Sequence, residues 1–494
     1  MSNVQTISQR LDNLPIRGLL GVSGYYWGLL LKTGFGWAMD SMDTFLFTYL
    51  GAKGWKTDIH NSDDSKLNAH QIGILGSAAF AGSLVGGVFF GYLADVYGRK
   101  PIFMVTLVIF MIATLINGAA QSYAVFLAFR FIAGIGMGGE LPVASTLVQE
   151  LVPSAVRGRI IVLLESFWSI GCMIAVLLAL ELTKSVSWRV VFYISAIPAF
   201  YAIAIRYIVP ESPKWLASVG RMDEAEAIVE KIEKAHGVTY DKDAEKLVVQ
   251  NVAGMDLFDC SSLRFYERMA ILFRGEFAIR TIVLWTVWIC LSFSYYAIYI
   301  WLPVLRGSEK GGFNLNSSTG TMIFIVFWQL PGYLSAAYIV EILGRKVTLA
   351  TYLVCAVASA LAFGYVENTK TNLMITGACM SWFMLGAWGS LYAYTPENYP
   401  TSVRAMGASY ASSFSRIGAT AGPYVIPIMQ EANCSSIAIM WVCSAVLLVG
   451  VIVLILFGFE PRGKNVESAP KVEAYLSKRL GHNELVETPR NDNA

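Results

Sequence analysis

Two carboxylates one helical turn apart, Asp40 and Asp43, and a solitary arginine, Arg416, stand near the middle of apolar stretches long enough to cross a bilayer. An ionised group at that depth costs about 2.5–3.5 kcal/mol on insertion scales, so it is kept where it faces a protein interior or a wet cavity. The i, i+3 spacing puts both acids on one helix face. They repel when both are charged, and desolvation adds to the repulsion, so one of them is expected to hold a proton near neutrality. That suits a group that takes up and releases protons. The same residues also read as a helix-packing hydrogen bond, or as an ion pair with Lys32, Arg130 or Arg416. The planar fork of Arg416 suits two-point binding of a carboxylate. It equally suits an internal pair with Asp40 or Asp43 across a cavity, and the two readings coexist if substrate or proton displaces the pair.

Further charges lie in the same stretches. Glu165 is a second candidate for handling a proton or orienting a ligand, and Glu140 reads as structural, although both could share a cavity wall. Arg130 is divided between a proton-relay partner and a structural ion pair. His60, His70, His236 and His482 all fall outside the apolar stretches, so carboxylates must carry any intramembrane proton. Trp37, Trp168, Tyr295, Tyr296 and Trp388 could stack on a planar ring, though each is also an ordinary packing residue. Tyr295 and Tyr296 precede Pro303 on a segment that could bend and gate the outer side.

The elements that must position these groups follow from composition. The chain has 494 residues, 55% hydrophobic and 15% charged, against about 25% charged in a soluble protein. A net charge of +2 gives no reason to invoke nucleic acid. Seven cysteines are scattered, and Cys172, Cys290, Cys355, Cys379 and Cys443, which lie within apolar runs, read as small hydrophobes, not as a disulfide framework or a metal site. Residues 1–26 lack a signal-type apolar core, so the first span is expected to be retained. At about 20 apolar residues per crossing, spans are expected near 27–51, 71–95, 101–119, 124–149, 160–182 and 188–209, and again near 278–304, 317–341, 347–366, 371–395, 405–429 and 435–459. Between the two sets, 211–277 carries the mixed-charge stretch beginning at Met222, with Ile228, Val229 and Ile232 as an apolar stripe. It reads as a helix lying against the bundle, or as a partner-binding element. The polar tail from 461 reads as disordered.

The two sets are copies. Glu150-Leu-Val-Pro153-Ser-Ala-Val156-Arg157 returns 247 positions later as Glu397-Asn-Tyr-Pro400-Thr-Ser-Val403-Arg404, and Gly98-Arg99-Lys100 returns as Gly344-Arg345-Lys346. Ser166-Phe167 and Ile170-Gly171 return as Ser413-Phe414 and Ile417-Gly418. The expectation is an all-α membrane protein of 12 transmembrane helices in two homologous six-helix bundles with a site between them. Its parts are an N-terminal segment 1–26, bundles 27–209 and 278–460, a central loop 210–277 and a tail 461–494. The short connections bearing Arg99, Arg157, Arg159, Arg345 and Arg404 place both termini and the loop on the cytoplasmic side, although Lys53, Lys56, Lys66, Lys184 and Arg189 fall outside.

Gly91-Tyr-Leu-Ala-Asp95-Val-Tyr-Gly98-Arg99-Lys100-Pro101 resembles the loop signature of the major facilitator superfamily, and the run from Arg130 to Glu140 resembles its second motif. Pro210-Glu211-Ser212-Pro213-Lys214-Trp215-Leu216 closes the sixth span as in sugar porters and organic-ion carriers. Within the superfamily, the surroundings of Trp37, Trp168, Tyr295 and Gln329-Leu-Pro331-Gly332-Tyr333 are similar to the niacin-transporter type of metabolite:proton symporter. That type is akin to organic-ion carriers and synaptic-vesicle transporter-like proteins. No Gln-Gln pair opens the seventh span and the chain ends its last span Glu460-Pro-Arg462, so a sugar porter is the weaker reading.

The resemblance implies a secondary active transporter working by alternating access. In organic-ion carriers the position of Arg416 resembles a selector of substrate sign, and arginine there implies an anion. Proton-coupled uptake of a small organic anion, an aromatic or pyridine monocarboxylate such as nicotinate, is the expected activity. Arg416 would meet the carboxylate, the five aromatics would hold the ring, and Asp40, Asp43, Glu165 and Arg130 would handle the proton. Asp95 with Arg157 or Arg159, Glu150 with Arg99, and Glu341 and Glu397 with Arg345 and Arg404 resemble the family's switch, with Gly98 at its turn. No cofactor beyond the proton gradient and no catalytic or metal site is expected; the chain is read as a monomer in the plasma (inner) membrane. A sugar or polyol porter, an uncoupled facilitator and a non-transporting receptor or scaffold are the alternatives.

Overall fold

The computed structural model describes residues 7, 9–15, 22–51, 54–59, 66–206, 209–238, 270–305, 313–315, 318–399 and 401–461. The central stretch 239–269 and the tail from 462, for which a loop and disorder were expected, lie outside the described residues. The side chains of Asp95 and Arg404 do as well.

Among the described residues the longer helices make up twelve spans. In the first half they are α1 (Gly24–Gly51), α3 (Ala69–Tyr97), α4 (Arg99–Ala119), α5 (Tyr123–Leu151), α6 (Ser154–Leu180) and α7 (Trp188–Arg206), with a one-turn helix α2 (Trp55–Asp58) between the first two. Two short helices follow, α8 (Pro213–Ser218) and α9 (Met222–Ala235). The second half contains α10 (Glu276–Leu305), a span broken into α11 (Thr319–Phe327) and α12 (Gln329–Leu343), α13 (Arg345–Tyr365), α14 (Lys370–Glu397), α15 (Thr401–Glu431) and α16 (Ser436–Phe457). The break at Trp328 sits three residues before Pro331, whose ring nitrogen has no hydrogen to give the preceding turn. Pro423 and Pro427 lie inside α15, which continues through both.

The duplication extends to the helix ends. Ser122 accepts from Val125 N to start α5, and Thr369, 247 positions later, accepts from Asn372 N to start α14. Such caps satisfy backbone donors that have no intrahelical acceptor. Gly98 and Gly344 turn the chain into α4 and α13 with φ of 100° and 93°, a region where a side chain is strained.

Close packing is repeated too. A Cβ on Gly171 of α6 would fall 2.0 Å from the Ala38 carbonyl oxygen of α1, and one on Gly418 of α15 would fall 2.2 Å from that of Ile289 on α10. Small residues at these crossings let backbones touch, the main source of helix cohesion where lipid supplies no hydrophobic drive. The bundles then meet along two seams, α3 against α15 and α6 against α11 and α12.

Among the described residues, eight of these spans are long and apolar enough to cross a bilayer by themselves, and α1, α7, α14 and α15 are not among them. Three of the four, α1, α14 and α15, contribute to the inter-bundle cavity. On one end of the molecule, Val229 and Ile232 of α9 are fully buried in a cluster with Ile7, Leu11 and Leu14 of the N-terminal segment, so the expected stripe does pack against the bundle. Arg10 clamps Glu233 through two bonds of 2.9 and 2.7 Å, and His236 bonds Ser23 at 2.7 Å.

Candidate functional site

A narrow cavity of about 20 Å³ lies between the bundles, room for about one water and far below the roughly 300–1,000 Å³ usual for an open small-molecule site, so the structure holds the site in a closed state. The N-terminal half lines it with Trp37 of α1 and Glu165 and Trp168 of α6. From the other half come Tyr295 and Tyr296 of α10, Trp388 of α14 and Arg416 of α15. All five aromatics singled out in the sequence therefore share one cavity with Arg416. Tyr333, Leu385, Tyr392 and Ser415 complete it. The sequence reading did not weigh these four, yet Leu385 and Tyr392 stand three before and four after Trp388 and so share its helix face.

Glu165 and Arg416 are the charged groups of the lining. They are 2% and 8% exposed, and Arg416 lies within electrostatic reach of Glu165, Tyr296 and Tyr392. The opposition expected between Arg416 and the Asp40–Asp43 pair is thus made by Glu165. Asp43 pairs inside its own bundle with Arg130 at 3.0 Å, with Thr114 donating to its other oxygen at 3.3 Å. The Arg130 guanidinium also covers the Phe47 ring at 4.2 Å. Helix geometry explains the outcome: Trp37 lines the cavity, and Asp43, six residues on, lies about 240° round the helix. Asp40 is buried, its carbonyl accepting from Thr44 at 2.8 Å, and is not part of the lining; nor is Glu140, also buried.

The aromatic wall is locked from behind. The Trp168 indole donates to the Tyr295 hydroxyl at 2.9 Å across the bundle boundary. Tyr295 stands edge-on to Trp388 at 6.0 Å, and Phe80 of α3 covers Tyr296 at 4.4 Å. Ser41 holds the Trp168 carbonyl at 2.6 Å.

Beyond these aromatics, one end of the molecule is closed by contacts between halves. Ser77 donates to the Thr420 carbonyl at 2.6 Å, His70 bonds the Tyr424 hydroxyl at 3.1 Å, and Thr319 donates to Glu181. Lys56 of α2 sits over the Trp301 ring at 4.7 Å. Burial pulls the Lys56 ammonium down to about 8.

The opposite end carries the duplicated motifs. Arg99 bonds Glu150 at 3.3 Å and Arg345 meets Glu397 at 2.6 Å, equivalent pairs in the two halves. Glu341 reaches across the boundary to Arg159 at 3.1 Å. Arg157 lies near Lys214, whose ammonium is pulled down first by burial and then by that positive neighbour. The sequence reading missed Glu211 and Glu460. Glu211 accepts from the backbone N–H groups of Arg99 and Lys100 at 3.2 and 3.1 Å, and Glu460 does the same for Arg345 and Lys346 at 3.2 and 2.9 Å. Each carboxylate thereby satisfies the positive start of a helix.

Residues 29–472 match the model of the family described as sugar (and other) transporter. The chain is 40% identical to the niacin transporter NiaP of Acinetobacter baylyi over 459 residues, 93% of this chain and 98% of that protein. It is 33% identical to the putative niacin/nicotinamide transporter NiaP of Bacillus subtilis, covering 94% and 100% of the two chains. A synaptic vesicle 2-related protein of Bos taurus is 27% identical, with 84% and 75% covered. Among solved structures, the xylose transporter XylE of E. coli in a partially occluded inward-open conformation superposes with a TM-score of 0.69 at 17% identity, covering 90% of this chain and 100% of that one.

Proposed function

Since the chain belongs to the sugar (and other) transporter family and has the major facilitator fold, we propose that it is a proton-coupled carrier taking up a small aromatic monocarboxylate, nicotinate being the substrate its NiaP relatives suggest. The observation that carries this reading is the composition of the cavity: one guanidinium, one carboxylate and a wall of rings. Charge balance then supplies the coupling. With Glu165 ionised, Arg416 is neutralised internally. An incoming carboxylate adds a negative charge to a buried space, and a proton on Glu165 removes it. Anion and proton are each costly alone at low dielectric and inexpensive together.

Arg416 takes the carboxylate by its fork, and Trp37, Trp168, Tyr295, Tyr296 and Trp388 hold the ring. Asp40, Asp43 and Arg130 handle protons behind the wall, in a second buried acid–base group of the same bundle. Alternating access rocks the bundles about the cavity. The end closed by Lys56, His70 and Ser77 is the outer one; the end with Arg99, Arg345 and the Arg159–Glu341 bridge is cytoplasmic, with both termini, in the plasma membrane. Residues 27–209 and 278–460 are the moving units. Surface pairs of this kind contribute about 0–1 kcal/mol each, weak enough to open in every cycle.

A thermal-shift screen of the purified protein against organic acids, amines and sugars tests the reading. Stabilisation by nicotinate in wild type and its loss in Arg416→Ala is the expected result. Stabilisation by amines or sugars and not by acids would overturn it.

A further inference from the structure

Buried indoles in this protein usually find an acceptor. Trp168 donates to Tyr295, Trp288 to the Thr395 hydroxyl at 2.8 Å, and Trp301 to the Pro423 carbonyl at 2.9 Å. Trp388 is 6% exposed, lines the cavity, and its Nε1–H donates to no acceptor among the described residues. Its ring cannot easily turn to find one. Trp288 stands edge-on at 5.4 Å, Tyr295 at 6.0 Å, and Tyr392 lies at 5.9 Å. A buried donor without a partner costs free energy that a ligand acceptor would recover. Sites of this design discriminate strongly, because an analogue lacking the acceptor leaves the donor unpaired.

We propose that Trp388 is a specificity-determining residue whose indole N–H donates to an acceptor atom within the substrate ring. It would select nitrogen-heteroaromatic carboxylates over carbocyclic acids of the same shape. The inference rests on the reading of the cavity as a carboxylate site, and it assigns the second end of the ligand. Arg416 holds the carboxylate whichever ring is attached, and Trp388 reads what the ring contains.

The test is calorimetric titration of the full-length protein in nanodiscs with nicotinate and with benzoate, which has the carboxylate but no ring nitrogen. Wild type should prefer nicotinate by about tenfold, the factor that about 1.4 kcal/mol of hydrogen bonding gives. Trp388→Phe should bring the ratio of the two affinities to about one, whatever packing it also disturbs. Benzothienylalanine at position 388 keeps the shape of tryptophan without the N–H. It should weaken nicotinate relative to benzoate by the same factor. A ratio preserved in both variants, while Arg416→Ala abolishes binding of both acids, would overturn the role of Trp388 and leave the carboxylate site standing. Wild-type protein that binds neither acid would overturn both.

Discussion

Trp168 and Tyr295 meet across the boundary between the two halves, the indole N–H donating to the phenol oxygen at 2.9 Å in the wall of the cavity. A bond between the halves at this place is expected to weight the equilibrium between the carrier's two faces.

Tyr295→Phe removes the acceptor and strands the Trp168 donor. A buried neutral hydrogen bond contributes about 0.5–1.5 kcal/mol, so the outward-open population should rise about threefold to tenfold. Labelling of a cysteine placed at Ser77 by a membrane-impermeant thiol reagent, on a cysteine-free background, reads that population. Unchanged labelling would show that the bond does not hold the gate.

Gly171 and Gly418 should behave as one position. Alanine at either must displace a backbone carbonyl 2.0 or 2.2 Å from the new Cβ, and overpacking of this kind costs about 1–3 kcal/mol or more. Gly158 is also helical but has nothing within 4 Å of a built Cβ. There alanine should be neutral or stabilising by up to about 1 kcal/mol. Melting temperatures of the three alanine variants in one detergent decide the matter.

The architecture was legible in the sequence because its signals are periodic and written twice. Spans expected at 101–119 and 371–395 occupy Arg99–Ala119 and Lys370–Glu397, and the echo of Glu150 at Glu397 is an echo of ion pairs. The cavity's rings were legible through depth and type. Which acid faces Arg416 was not. Spacing tells which face of α1 bears Asp40 and Asp43, but not which neighbour that face meets, and it meets Arg130 and Thr114. Glu211 and Glu460 escaped for a related reason: each lies more than a hundred residues from the helix start it caps, a distance no local pattern spans.

Lys56, which sits over Trp301 of the other half, should give the proposed outer gate a pH dependence. Its pKa is about 8 with the gate shut and about 10.4 when solvated, so the shut state binds fewer protons in between. By linkage, shutting becomes more favourable as external pH rises from about 8 to about 10, and below about 8 the advantage is absent. Outward labelling at Ser77→Cys should therefore fall over that window relative to the same reporter carrying Lys56→Met, whose gate has no such group to titrate. Parallel curves for the two proteins would contradict the assignment.

In the proposed cycle a proton on Glu165 offsets the anion at Arg416. Uptake of labelled nicotinate into proteoliposomes under an inward proton gradient tests it most directly. Wild type should accumulate nicotinate above the external concentration. Glu165→Gln, permanently neutral at that oxygen pair, should still exchange labelled for unlabelled nicotinate but fail to accumulate it. Accumulation by Glu165→Gln equal to wild type would contradict the account.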